Sequence, residues 1–141
     1  MKILLCVDGT PASLAAVRHA LALREQGLKV DYVLANVQAP PSLYEMVVAH
    51  DADRLSQVRR DAGADLLARA EELLAAAGAE WESEVAGGEA GHVLVDLIEN
   101  YGCDAVVLGL EPGAAGPVAS ALIEHSPVPV TLVRAPVADA P

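Results

Sequence analysis

The feature that most constrains the fold is an alternation between short apolar runs and longer segments with helical periodicity. The short runs predict strands at residues 3–7, 30–37, 80–85, 105–108 and 128–133. Between them, apolar residues recur every three or four positions, most clearly from Ala90 to Tyr101. Because strands that alternate with helices form parallel sheets, this pattern predicts one α/β domain with the order β-α-β-α-β-α-β-α-β.

Capping residues bound the predicted helices. Thr10 is a favourable cap for the first helix, Pro11 suits its first position, and Gly27 can end it. Residues 42–77 are predicted to be helical in two pieces. One apolar stripe of this segment is expected to face the core: Leu55, Val58, Ala62, Leu66, Ala70 and Leu73.

The predicted topology also locates a candidate site. Open parallel sheets bind ligands beyond the carboxyl ends of their strands, where the winding reverses. We place that reversal between the first and fourth strands, so the loops at 8–10 and 109–116 should face each other across a crevice. Residues 1–134 are predicted to form one domain, and residues 135–141 a flexible C-terminal tail.

Charge excludes two classes of partner. Nine Lys and Arg residues stand against twenty Asp and Glu residues, which gives a formal net charge of -11. Nucleic-acid binding needs a basic face, and so does binding to anionic membranes. We therefore expect no nucleic acid and no membrane as partners. The first apolar run ends at Asp8, too early for a signal peptide, and this predicts a cytoplasmic protein.

Several segments resemble the universal stress protein family. The run ILLCVDGTPAS at 3–13 resembles its first strand, Asp-Gly-Ser turn and first helix. The run CDAVVLG at 103–109 resembles its fourth strand and the glycine that follows. The runs GPVA at 116–119 and IEHSPVPV at 123–130 resemble its last helix and strand. These segments span essentially the whole chain in the family's order.

The resemblance implies an architecture and a dimer. The fold would be a single open parallel five-stranded sheet with strand order 3-2-1-4-5 and helices on both faces, Rossmann-like and of the adenine nucleotide alpha hydrolase type. Two copies would pair antiparallel through their last strands. The interface residues would be Val128, Val130, Leu132 and Val133. An apolar edge strand needs a cover, and the alternative cover is the tail from Ala135 onward.

The resemblance also implies a candidate nucleotide crevice. ATP-binding members of the family carry Gly, two residues, Gly, nine residues and Gly-Ser, so that backbone N–H groups and a helix start cradle the phosphates. The matching residues here are Asp8, Gly9, Thr10, Val37, Gly109, Gly113, Gly116, Val118 and Ala119. In the family, the acidic residue at the position of Asp8 helps hold the adenosine end. The alternative for Asp8 and Thr10 is that they cap the first helix.

Three departures from the family motif argue against ATP. The loop from Gly109 to Gly116 is six residues shorter than the motif. Glu111 lies inside it, where a carboxylate repels phosphate, and no Lys or Arg is near in sequence. Pro117 replaces the motif's Ser and offers neither an N–H nor a hydroxyl.

No catalytic constellation is apparent in the sequence. The histidines, His19, His50, His92 and His125, have no metal-ligand spacing, and there is no G-x-S-x-G motif. Cys6 and Cys103 are predicted near opposite ends of the sheet, as inert thiols without a disulfide. We therefore expect no metal.

The preferred hypothesis is a non-enzymatic stress-response protein that acts as a homodimer with unidentified protein partners, with a degenerate nucleotide site and no cofactor. The hypothesis left open is an adenine-nucleotide-binding stress protein, for ATP or AMP, with slow ATP hydrolysis. An apolar patch within residues 40–53 is expected either to pack over the sheet or to form a lid or partner surface.

Overall fold

Strands and helices alternate along the chain in a computed structural model that describes residues 1–39, 52–113 and 115–135. The elements are β1 (Lys2–Cys6), α1 (Pro11–Glu25), β2 (Asp31–Gln38), α2 (Ala52–Ala76), β3 (Trp81–Gly87), α3 (Ala90–Tyr101), β4 (Ala105–Leu110), α4 (Pro117–His125) and β5 (Val130–Arg134). The predicted alternation is confirmed, and the strand ends differ from the prediction by at most two residues. The apolar patch predicted within 40–53 lies, for residues 40–51, outside the described ranges.

The five strands form one parallel sheet in the order β3-β2-β1-β4-β5. The predicted order is therefore confirmed. β1 pairs with β2 on one side and with β4 on the other, so that Leu4 lies opposite both Val33 and Val106. The winding reverses between β1 and β4, and this places the carboxyl ends of those two strands at the predicted site.

Side chains of the central strand alternate between two cores, one on each face of the sheet. Ile3 and Leu5 pack in a cluster with residues of α1 and α2. Leu4 packs in a second cluster, which includes Leu94 of α3 and Leu122 of α4. Because both faces are covered, β1 needs apolar residues at every position, which is why its sequence reads as a continuous apolar run.

The predicted apolar stripe of α2 is confirmed near the end of the helix, where Ala70 is buried and Leu73 packs against the core, and is wrong in its middle part. Val58 is 57% exposed and Leu66 is 38% exposed, whereas Leu67 and Leu74, outside the predicted stripe, are buried. The physical reason is Gly63, which is buried against β2 and β3 at a place where a Cβ would overlap Val85. This close approach turns the Gly63–Leu67 face of the helix inward.

The two outer strands of the sheet have different side chains. β3 carries Glu82 and Glu84 among its residues, while β5 carries Val130 and Leu132. Leu132 is 37% exposed. Acidic side chains discourage further strand pairing, whereas an apolar edge invites it.

Only the first residue of the predicted tail falls within the described ranges. The N–H of Ala135 donates to the carbonyl of Leu110 at 3.1 Å, and Ala135 is buried. Residues 136–141 lie outside the description. Across the described residues, no helix is both long enough and apolar enough to cross a membrane.

Candidate functional site

A cavity of about 340 Å³ opens at the carboxyl ends of β1 and β4, beside the first turns of α1, α3 and α4. We call this cavity the crevice. Seven of the nine predicted residues line it: Asp8, Thr10, Val37, Gly109, Gly116, Val118 and Ala119. The predicted Gly9 and Gly113 are not among the lining residues. Both have positive φ, of 82° and 110°, and so serve the turns of the two loops.

Sequence reasoning missed several residues of the crevice wall. These are Cys6, Val7, Ser13, Ala90, Leu108 and Leu110. The strand-end residues among them carried a usable signal, because they flank the predicted winding reversal. Ala90 carried no such signal, because the start of α3 comes beside the crevice only when α3 packs against the sheet.

The loop before α1 is closed by its own hydrogen bonds. Oδ1 of Asp8 accepts from the N–H of Thr10 at 3.0 Å and from its hydroxyl at 2.6 Å. Oγ1 of Thr10 in turn accepts from the N–H of Ser13 at 3.2 Å. The capping role predicted for Thr10 is therefore confirmed. Both hydrogen bonds to Asp8 end on Oδ1, and no donor among the described residues reaches its Oδ2.

Gly109 is required by packing between β4 and α1. A Cβ at this position would overlap the carbonyl of Ala12, in the first turn of α1. A backbone carbonyl cannot rotate away as a side chain can, so only glycine fits here. The residue that heads the phosphate-binding motif therefore has a structural reason to be glycine that involves no ligand.

The start of α4 is open. Gly116 occupies the N-cap and gives no side-chain hydrogen bond, and Pro117 follows without an N–H. The first N–H groups of a helix have no carbonyl partner within it. The N–H of Ser120 reaches the carbonyl of Gly116, so those of Val118 and Ala119 remain at the crevice wall.

Carboxylates line the crevice on two sides. Glu111 lines it beside α4, and Asp8 lines it beside α1. The pairing of β4 with β5 brings a cation near this loop, although it is distant in sequence. Arg134 lies opposite Leu110, and Leu110 directly precedes Glu111 in the chain. Arg134 is exposed and is not a lining residue, so the wall itself carries no Lys, Arg or His within the described ranges.

The thiol of Cys6 lies in the crevice wall at the end of β1. Burial, and then the nearby Asp8 carboxylate, raises the pKa of Cys6 to about 12. Cys103 is buried below α3, and burial likewise raises its pKa. Both thiols are free and stay protonated near neutral pH, where the protonated form is a poor nucleophile.

A family comparison identifies the fold. The model of the universal stress protein family matches residues 1–134. The chain belongs to that family. No curated protein is similar enough to the chain to count as a match.

Solved universal stress proteins share the fold at low sequence identity. One from Burkholderia pseudomallei is 20% identical with a TM-score of 0.75, over 94% of both chains. One from Arabidopsis thaliana, solved with AMP bound, is 16% identical with a TM-score of 0.74, over 97% of this chain and 93% of the other. A universal stress protein in complex with cAMP is 22% identical with a TM-score of 0.70, over 96% and 98%.

This universal stress protein also has a larger cavity, of about 520 Å³, between the start of α2 and the end of β3. The crevice remains the better candidate because it lies at the winding reversal, where open α/β sheets bind ligands. In the described part of the chain, no three His, Cys, Asp or Glu side chains cluster so as to hold a metal ion.

Proposed function

We propose that the chain is a non-enzymatic stress-response protein that acts as a homodimer and whose crevice does not bind ATP. The observation that carries the proposal is the composition of the crevice beside α4. Glu111 and Pro117 both line it there, where the family motif would supply donors to phosphates. One residue brings a negative charge and the other lacks an N–H.

Electrostatics supports this assignment. A helix start carries the equivalent of about +0.5 charge, and the N–H groups of Val118 and Ala119 in α4 have no acceptor among the described residues. The carboxylates of Asp8 and Glu111 together bring about two negative charges to the same cavity, and a triphosphate adds several more. The repulsive charges outnumber the attractive ones.

The hydroxyl and thiol groups of the crevice support a non-enzymatic role. Ser13 donates its hydroxyl to the carbonyl of Thr10 at 3.0 Å rather than to a base. The Cys6 thiol is protonated for the reasons given above. Neither group is activated as a nucleophile.

The apolar edge of the sheet supports the homodimer. β5 pairs with β4 on one side, and no strand among the described residues pairs with its other side. Val128, Val130 and Val133 are half-buried, and Leu132 is exposed. Antiparallel pairing of two β5 strands about a two-fold axis would satisfy the open backbone groups and cover these side chains. Free Cys6 and Cys103 fit a cytoplasmic setting.

Calorimetric titration with ATP and Mg²⁺, together with sizing of the protein in solution, tests the proposal. We expect no ATP binding at micromolar concentration and an elution volume that corresponds to a dimer. Lys in place of Val130 should shift the protein to monomer, whereas Lys in place of Glu82, on the opposite edge, should not. Micromolar ATP binding would contradict the proposal that the crevice does not bind ATP. A monomeric wild-type protein would contradict the proposal of a homodimer.

A second candidate function is binding of a smaller adenine nucleotide. It is favoured by the solved family members that contain AMP and cAMP. Asp8, Thr10 and Val37 line this crevice, and Asp8 is at the position that the resemblance assigns to the adenosine end. Titration with AMP tests this candidate, and saturable binding would support it.

A further inference from the structure

We propose that the crevice binds a nucleoside, a base with its ribose and no phosphate, in preference to the corresponding nucleotide. The inference rests on the proposed function, in which the phosphate end of the crevice is degenerate. It goes further by naming the chemical class of ligand that the remaining walls favour: uncharged, with an apolar face and hydroxyl donors.

The wall beside β1 and β2 suits the uncharged part of such a ligand. Val37 is half-buried and supplies apolar surface next to the polar groups of the Asp8 loop. The Oδ2 atom of Asp8 is the acceptor left over in that loop, because Oδ1 already accepts from Thr10 twice. A carboxylate oxygen with no donor is well suited to accept from a ribose hydroxyl.

The wall beside α4 opposes an anionic ligand. A phosphate that reached the N–H groups of Val118 and Ala119 would share the crevice with the carboxylate of Glu111. A monophosphate carries between one and two negative charges near neutral pH, so each added phosphate strengthens the repulsion. Arg134 is exposed and is not a lining residue, so solvent and salt screen its attraction for a phosphate in the crevice.

The size of the crevice agrees with a small ligand. Its volume of about 340 Å³ lies near the lower end of the roughly 300–1,000 Å³ of ligand pockets. The chain between Gly109 and Gly116 is also six residues shorter than the family motif and offers fewer backbone N–H groups to an extended polyphosphate. Size and charge therefore favour the same ligand.

The test is calorimetric titration of the full chain with adenosine, AMP, and ATP with Mg²⁺. We expect adenosine to bind about tenfold or more tightly than AMP, and AMP more tightly than ATP. Asp8→Asn keeps an acceptor for Thr10 but replaces the second oxygen with an amide. This variant should weaken adenosine binding by about tenfold.

Charge selection is tested with two matched variants of α4 and its preceding loop. Glu111→Gln removes the carboxylate at nearly constant size, and it should raise AMP affinity about threefold to tenfold while leaving adenosine affinity unchanged. Glu124→Gln removes the same charge from the exposed last turn of α4, away from the crevice wall. The control should leave the ratio of the two affinities as in the wild type.

The outcomes separate the inference from the proposed function. AMP that binds as tightly as adenosine overturns the inference. A ratio of adenosine affinity to AMP affinity that Glu111→Gln leaves unchanged also overturns it. Absence of binding by all three ligands overturns the inference while the proposal of a dimer that does not bind ATP stands. Micromolar ATP binding overturns both.

Discussion

Two helices begin at the crevice with proline in the first position, and they begin differently. α1 has Thr10 at its N-cap, and Thr10 accepts from the N–H groups of Ser13 and Leu14. α4 has Gly116 at its N-cap and no side-chain hydrogen bond. Thr10-Pro11 and Gly116-Pro117 both place proline at the first helical position, yet only α1 has a side-chain acceptor for one of its first N–H groups. The cap side chain, rather than the proline, makes the difference between the two helix starts.

The largest expected effect comes from the contact that holds α1 against β4. Gly109→Ala places a methyl group on the carbonyl of Ala12, which is backbone and cannot move aside. We expect a loss of about 3 kcal/mol or more in the free energy of unfolding, measured by urea denaturation. Gly116→Ser is the control, since a Cβ there meets nothing within 4 Å. An alanine variant as stable as the wild type would contradict this account of the crevice wall.

The closed helix start is tested next. Thr10→Ala removes the hydroxyl that accepts from Ser13 and donates to Asp8. The free energy of unfolding should fall by about 1 kcal/mol, the usual effect of losing an N-cap side chain. Thr10→Ser keeps the hydroxyl and should restore most of the stability. If Ser and Ala lower the unfolding midpoint equally, the methyl group and not the cap is responsible.

A third helix, α3, has an N-cap residue with a carboxyl group, so the strength of this cap depends on pH. Glu89 caps α3 and accepts from the N–H groups of His92 and Gly91 at 2.9 and 3.1 Å. These hydrogen bonds hold the pKa of Glu89 below its ordinary 4.5. Its stabilising contribution is therefore present above the unfolded-state pKa and is lost as pH falls through the folded-state pKa.

Thermal unfolding of Glu89→Gln at a series of pH values measures this contribution. As pH falls below about 4.5, the melting temperature of the wild type should drop more steeply than that of the variant. Glu99→Gln, in the last turn of the same helix, removes one carboxylate without removing the cap. Its acid dependence should follow the wild type, and parallel curves for all three proteins would show that Glu89 does not contribute.

The smallest expected effect is at the open helix start. Gly116→Ser supplies the missing acceptor at a φ of -76°, which any residue adopts. The free energy of unfolding should rise by a few tenths of a kcal/mol, roughly the difference between Gly and Ser at an N-cap. Differential scanning calorimetry would record a slightly higher melting temperature. A decrease would mean that the N–H groups of α4 already have acceptors.

Much of the fold could be predicted because it follows from local pattern. Continuous apolar runs mark strands that are covered on both faces, and Thr10 and Gly27 mark the ends of α1. The face of α2 could not be predicted from periodicity, because two apolar stripes run along that helix. Gly63 decides between them by permitting close approach, and a glycine gives no hydrophobic signal of its burial.

The candidate site was predictable where it lies at strand ends and not where distant segments meet. Asp8 and Gly109 follow strands at the winding reversal, so topology brings them together. Ala90 arrives on a different helix, and Arg134 comes beside Leu110 only through the register of β4 and β5. Such contacts depend on the three-dimensional arrangement of whole elements, which no short segment encodes.

The overlap between Gly109 and Ala12 has a consequence for how motifs are used. A chain of this architecture must keep glycine after its fourth strand even if it never meets a nucleotide, since any larger residue would push the first helix off the sheet. A pattern search that scores this glycine as a sign of ATP affinity would count a packing requirement as evidence of chemistry. Glu111 and Pro117, whose side chains line the crevice and depart from the motif, are the more informative positions to inspect.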